Sequence, residues 1–532
     1  MNRTDDGTGR YGLLASILFP LLCAAPFLGS AFHVDEPCFL AIARQLLRDP
    51  MHPLSFDYNW FGVAEPMSRL SQYTSLLPYL EALALRAAGG SEWAMRLLFL
   101  PFDALAAGSL YLLASRFLRR PLLPVLIVLA SPGYLLGMRL LTAEKLVAAF
   151  GFCGLYALCR GLQDDDRRSY RASAPLLGLA LLSKPSAIFL LVPTLWFQRR
   201  RGVSPGRMAG HLAAVLALPL LALAADLACG NPRIGRMSAQ AGVALYSLLS
   251  EPAHALRSLL AFAGGGAAAP VLWPFFAGGK GRPWLPAAAF CALLFLPGFD
   301  RGPVQGHDRV LGFVFAGGAL LLFWSLLRSR EPGTTDLWLP WAASVALLQL
   351  AVYWSVVGRF MMFLIPPTVF GMSALLERKG RGRLLLPASL ALLLPLSAAL
   401  LWVDTRHADS QRELAALLAS RPSGRGLWFT GHWGLQYYME SAGAKPLDRG
   451  IGGWAEVQKG DLVVVPAVNT NQIRPGGSIL ADVRKLRVDS AVPLRVLSNF
   501  GGQGGFYSNI FGFLPYSVST EPLEVFTLVK PL

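Results

Sequence analysis

Apolar runs separated by short polar breaks recur through the first four hundred residues of the chain. They lie near 11–31, 93–115, 121–138, 146–159, 174–197, 208–228, 255–276, 284–298, 310–327, 337–357, 360–376 and 384–402. About 20 apolar residues in a helix cross a ~30 Å hydrocarbon core, so this pattern predicts a polytopic helical membrane protein. The run at 174–197 differs from the others. Ser183-Lys184-Pro185-Ser186 interrupts its middle, leaving two arms too short to span, and Pro185 forbids one smooth helix. We read it as a hairpin entering from one face, with Lys184 deep in the membrane or near the opposite surface. A lysine there requires an anion or a water-filled cavity.

The pattern changes twice. Residues 32–92 form a long connection between the first two spans. There His33-Val34-Asp35-Glu36-Pro37 opens a helix with Phe39, Ile42, Ala43, Leu46 and Leu47 on one face and Arg44, Gln45 and Arg48 on the other. Such a helix is expected on the membrane surface, apolar face down, with Asp35 as a candidate N-cap. After Trp402 the spans stop. Residues 403–532 show a polar helix at Ser410 to Ala419, short strands at Gly426–Thr430 and Asp461–Pro466, and a Gly501-Gly502-Gln503-Gly504-Gly505 turn. The expected fold is thus an all-α polytopic membrane domain over 1–402, with a small soluble α/β domain over 403–532.

Composition and charge sharpen this picture. Hydrophobic residues are 54% and charged residues only 15%, with 53 glycines besides. That excludes an ordinary soluble enzyme and a disordered chain. The net charge of +16 comes from short arginine clusters between the runs, such as Arg199/Arg200/Arg201 and Arg378/Lys379/Arg381/Arg383. This is the positive-inside bias, not a nucleic-acid footprint. With the N-terminus inside and 174–197 a hairpin, the inside loops and the N-terminus together hold 21 of the 48 Lys/Arg. About 13 membrane segments follow, with the N-terminus cytoplasmic, the C-terminus and the 32–92 loop on the outer face, and 11–31 a retained anchor. The six cysteines show no metal or disulfide spacing, and no inverted repeat is visible.

An Asp-Glu pair soon after a first span, heading an amphipathic helix, resembles the GT-C superfamily of membrane glycosyltransferases. The similarity is to the protein O-mannosyltransferase and aminoarabinose transferase branch, which uses polyprenyl-phosphate-linked sugars. Leu179-Ala180-Leu181-Leu182-Ser183-Lys184-Pro185 resembles that branch's hairpin turn, and Gly358-Arg359-Phe360 through Ile365-Pro366-Pro367 its late Arg-aromatic…Pro segment. Trp428–Gly443, with Gly434, Tyr437 and Tyr438, resembles the outer domain of bacterial members. Two departures bear on the sugar and the acceptor. Arg69 through Pro78 stands where the branch has a Lys/Pro-rich segment, and Glu144 where it has a second outer-face Asp.

The resemblance implies transfer of a sugar from a polyprenyl phosphate to a hydroxyl of a glycan, lipid or protein, by single displacement with inversion, at a bacterial-type inner membrane. Residue chemistry supplies candidate roles. Asp35 fits the base, while Glu36 is its alternative or positions the acceptor or a cation. Lys184 and Arg359, with Arg69, fit the donor phosphate. Glu144, Tyr73 and His307 are weaker substrate contacts. The reaction requires no cofactor, no protein metal ligands are assigned, and a divalent cation beside the acids is compatible with it. The competing reading is a transporter or flippase for a lipid-linked anion. It would favour inverted repeats and paired broken helices, whereas the acids here sit at the outer interface. A non-catalytic scaffold would leave Asp35 and Lys184 without a purpose.

Overall fold

The computed structural model of the 532-residue chain describes residues 6–70, 76–230, 249–268, 284–300, 303–329, 331, 333–353, 355–380, 382–420, 425–470, 472–473 and 480–531. Each of the twelve apolar runs is mostly helical in its described part, with breaks at Ser131 and Lys184. Seven described helices are long and apolar enough to cross a membrane, so the protein is a multi-pass integral membrane protein. The first is α1 (Asp6–Ala24), followed by α2 (Glu36–Arg48), α3 (Met67–Leu70) and α4 (Leu76–Ala88) of the long connection. Then come α5 (Glu92–Ala114), α6 (Leu122–Ala130), α7 (Pro132–Arg139) and α8 (Ala143–Gln163). The α6/α7 pair bends by 60° at Ser131, where Pro132 removes a backbone donor and starts a fresh helix.

The interrupted run breaks where its sequence breaks. Helix α9 (Arg167–Ser183) ends before Lys184, whose backbone is extended, and a tight turn over Pro185–Leu190 leads into α10 (Leu191–Arg200). Next are α11 (Pro205–Ala228), α12 (Pro252–Ala267), α13 (Trp284–Leu294), α14 (Gly306–Arg328), α15 (Leu339–Ala351) and α16 (Met361–Arg378). Helix α17 (Gly382–Ala419) has 38 residues, about 57 Å at 1.5 Å per residue. It therefore runs as one rod from the last apolar run through the polar stretch after Trp402.

Beyond α17 lies a five-stranded mixed sheet flanked by α18 (Trp433–Ser441). Its strands are β1 (Leu427–Phe429), β2 (Lys445–Pro446), β3 (Leu462–Pro466), β4 (Leu480–Val488) and β5 (Glu524–Pro531), in the order β2-β1-β3-β5-β4. The parallel β1–β2 and β1–β3 pairs are built by crossover, and β5 returns antiparallel between β3 and β4. The glycine-rich stretch folds back onto the helices instead of capping the sheet. Phe506, Tyr507, Phe513 and Tyr516 share the main helical core, and Tyr516 donates to the Gly265 carbonyl at 3.2 Å.

The amphipathic helix α2 departs from the expectation of a lipid-facing stripe. Phe39, Leu40, Ala43 and Leu46 pack with Leu77 and Leu85 of α4 and with Leu435 and Met439 of α18, while Ile42 packs with Leu54, Met67 and Leu70. Protein covers this face except at Leu47, which stays about half exposed, because the region after α17 bends back over it.

Candidate active site

The loop before α2 is held from all sides. Arg96 on α5 donates to the carbonyls of Leu28 (3.3 Å), Ser30 and Ala31 (3.2 Å), and pairs with Glu36 at 3.2 Å. Glu36 also accepts the amides of His33 at 2.6 Å and Leu141 at 2.8 Å. Asp409 of α17 accepts the Ala31 amide (2.8 Å), and Tyr438 of α18 accepts the Phe32 amide (2.7 Å). α18 approaches so closely that a Cβ on Gly434 would lie 2.3 Å from the Phe32 carbonyl. Within this clamp Val34 adopts φ 49°, a left-handed conformation costly for a β-branched residue. Its neighbours over-determine it, as strained residues at functional sites require. Glu36 is thus fully buried, with both oxygens committed to the loop's shape.

Asp35 is presented differently. It occupies the position before α2 but its side chain makes no capping bond. Instead its carboxylate reaches Arg359 Nη2 at 2.6 Å and remains 23% exposed. Arg359 Nε lies 2.9 Å from Glu144 Oε1, a charge contact rather than an aligned hydrogen bond, and Lys184 Nζ donates to the same oxygen at 2.7 Å. Four charged groups from positions 35, 144, 184 and 359 thus form one chain, Asp35–Arg359–Glu144–Lys184, two acids and two bases.

Local sequence explains each placement. Lys184 leaves the helical path because Pro185 cannot continue it, and its ammonium sits 4.7 Å above the Phe360 ring. Arg359 precedes α16 in a turn pinned by the Gly358 amide, which donates to the Phe506 carbonyl at 2.6 Å. A Cβ on Gly358 would enter the Phe506 ring, and one on Gly137 would meet Met362 at 2.3 Å, so two glycines let the tail and α7 close around Arg359. Glu144 begins α8. Its sequence neighbours take other partners: Lys145 pairs with Asp103 at 2.8 Å, and Arg139 with Asp404.

Beside Asp35 stand aromatic groups that sequence reasoning missed. Trp60 lies 4.4 Å from the His432 ring, which is followed by Trp433 at 5.0 Å. Trp433 has φ 64°, a second strained non-glycine residue near the acid. Burial pushes the His432 imidazole down to about 3, against the opposing pull of Asp35, so it is neutral at physiological pH. A second buried network lies behind: Asp404 binds Arg139, accepts from Tyr507 at 2.7 Å and faces His33 at 3.7 Å. Burial and nearby cationic groups hold His33 well below the usual histidine range. Arg96 and Asp103 inside an apolar run were the available signal, since ionisable residues in a span mark functional or pairing sites.

The other described candidates, Arg69 and His307, make no contact with this cluster. Arg69 is exposed on α3, Tyr73 is outside the described residues, and His307 contacts the Val518 carbonyl at 2.8 Å in the tail. Among the described residues no group of three or more His, Cys, Asp or Glu side chains is arranged to hold a metal ion.

Residues 74–224 match a protein-family model described as dolichyl-phosphate-mannose-protein mannosyltransferase. The match bears out the resemblance to GT-C glycosyltransferases, and with it the reading of the chain as a glycosyltransferase. Among solved structures, ArnT from Cupriavidus metallidurans bound to undecaprenyl phosphate is similar at 16% identity and TM-score 0.42, over 85% of this chain and 92% of that one. The apo form of ArnT gives 16% and 0.43, over 87% and 93%. The arabinofuranosyltransferase AftD from Mycobacteria gives 14% and 0.39, over 80% of this chain and 30% of that one. No curated protein matches the chain.

Proposed function

We propose that this protein transfers a sugar from a polyprenyl phosphate to an acceptor hydroxyl at the outer face of the membrane. The observation that carries the reading is the convergence of Asp35, Glu144, Lys184 and Arg359 from four distant segments beside a water-accessible carboxylate. The acceptor oxygen attacks the anomeric carbon, and its proton passes to the Asp35 carboxylate. The bond from that carbon to the phosphate oxygen breaks, its electron pair leaving with the polyprenyl phosphate, so the anomeric centre inverts. Lys184 and Arg359 stabilise the charge developing on the bridging oxygen. With no donor bound, Glu144 serves as their counter-ion, keeping two cations together inside the protein. On donor binding Arg359 turns from Asp35 to phosphate, which frees the base. Trp60, backed by the buried His432 ring, offers an apolar face to a sugar ring. In this reading Glu36 is a positioning residue, since its oxygens are taken up by the loop.

Asp35→Asn tests the assignment in purified protein supplied with a panel of polyprenyl-phosphate sugars. Asparagine keeps the shape but cannot accept the proton. Turnover should fall by about 10²–10⁴-fold while polyprenyl phosphate still binds. Full turnover in this variant would remove Asp35 from the chemistry.

A further inference from the structure

At the end of α9 away from Lys184, α9 and α11 lie against each other and enclose a groove of about 610 Å³. Its walls carry Arg167 and Arg171 from α9 and Arg207 from α11, with Tyr170 and the buried His211 between them. The floor is rigid. Tyr170 donates to Gln198 Oε1 at 2.8 Å, and His211 is held by Ser173 Oγ at 2.8 Å and Gln198 at 3.4 Å. Arg207 stacks over the Tyr170 ring at 4.8 Å. Deeper in, the helices nearly touch, since a Cβ on Gly178 would lie 2.7 Å from the Val215 carbonyl and the groove ends there.

Two features make this an anion site rather than a solvated basic turn. First, of the three acids just before α9 two are engaged elsewhere, Asp164 with Arg116 at 2.8 Å and Asp166 with Arg160 at 3.3 Å and the amides of α9, while the exposed Asp165 forms no ion pair with the groove arginines among the described residues. Among the described residues Arg167, Arg171 and Arg207 have no carboxylate within ion-pair distance. Second, three like charges around one groove repel unless an anion lies between them. What surrounds the groove selects the anion. It opens at the head of α11, a helix long and apolar enough to span a membrane, and along the same face of that helix Ala214, Leu221 and Ala225 follow as exposed apolar residues. A phosphate in the groove would have apolar surface running from it along the bilayer.

We propose that this groove binds the headgroup of an anionic glycerophospholipid, its phosphate among Arg167, Arg171 and Arg207 and its acyl chains along α11. By the charge bias of the loops this is the cytoplasmic leaflet, opposite the proposed transfer site.

The test is native mass spectrometry of the full-length protein released from nanodiscs of mixed phosphatidylglycerol and phosphatidylcholine. Wild-type protein should retain phosphatidylglycerol preferentially. At about fivefold per arginine, R167Q/R171Q/R207Q should lose roughly 100-fold of that preference, and R207Q alone about fivefold. Unchanged melting of the triple variant in pure phosphatidylcholine nanodiscs would show that it folds; if it does not, R207Q decides. Equal retention of the two lipids by wild type, or undiminished preference in R207Q, would overturn the proposal. Displacement of phosphatidylglycerol by millimolar inorganic phosphate would also overturn it, because the groove would then be a soluble-anion site.

Discussion

Lys184→Met exposes how the charge chain is balanced. Asp35, Arg359, Glu144 and Lys184 sum to zero, and Lys184 shares Glu144 Oε1 with Arg359 at 2.7 and 2.9 Å. Methionine fills much of the lysine volume without its charge and leaves a net negative cluster. Breaking a buried pair by removing one partner costs about 3–5 kcal/mol. Arg359 still touches both carboxylates and Asp35 is partly wet, so the lower end, about 3 kcal/mol, is expected. For a chain of this size that is roughly 3–6 °C in apparent melting temperature, followed by tryptophan fluorescence in detergent. Adding Glu144→Gln restores neutrality, with Asp35 facing Arg359 alone. The double variant should recover most of the loss, about 2 kcal/mol of it, instead of adding the cost of Glu144→Gln. Stability and function then separate: the recovered variant should still bind polyprenyl phosphate weakly, because it lacks the lysine. Losses additive within about 0.5 kcal/mol would refute the shared counter-ion, and full-strength donor binding by the double variant would take Lys184 off the phosphate.

Other outcomes follow from the same geometry. Arg96→Met removes the donor that holds three carbonyls and Glu36, and should cost stability comparable to Lys184→Met and lower turnover, both measured on the same preparation. Gly434→Ala places a methyl 2.3 Å from the Phe32 carbonyl, so the Asp35 loop must shift, and turnover should drop more than melting temperature. His432 is neutral in the folded protein down to about pH 3, whereas an unfolded histidine protonates near 6.5. Its contribution is therefore neutral above pH 6.5 and increasingly destabilising below, by about 1.4 kcal/mol per pH unit. His432→Gln should flatten the decline in melting temperature between pH 6.5 and 5, and an unaltered decline would contradict the burial. A reporter fused after Trp402 should be active only outside the cytoplasm, and cytoplasmic activity would invert the orientation.

The sequence alone determined the helical membrane architecture, because burying backbone in lipid leaves few solutions and apolar run length states which one is used. It also marked Asp35, Lys184 and Arg359, each by a local conflict: an acid heading an amphipathic helix, a lysine at a proline break, an arginine opening an apolar run. Pairing belonged to the tertiary structure. Glu144 has Lys145 and Arg139 close to it in sequence, yet helix geometry turns adjacent side chains apart, and its partners came from 40 and 215 residues away. Glu36, indistinguishable from Asp35 as a carboxylate in the sequence, became the loop's internal anchor once Arg96 and the Leu141 amide closed on it. The glycine-rich stretch read as a turn of the outer domain, but its glycines permit close approach, and packing used that freedom to seat Phe506 against Gly358. Periodicity reports which face of an element is apolar. Only the assembled chain decides whether lipid or protein covers that face, as α2 shows by burying its stripe under α4 and α18.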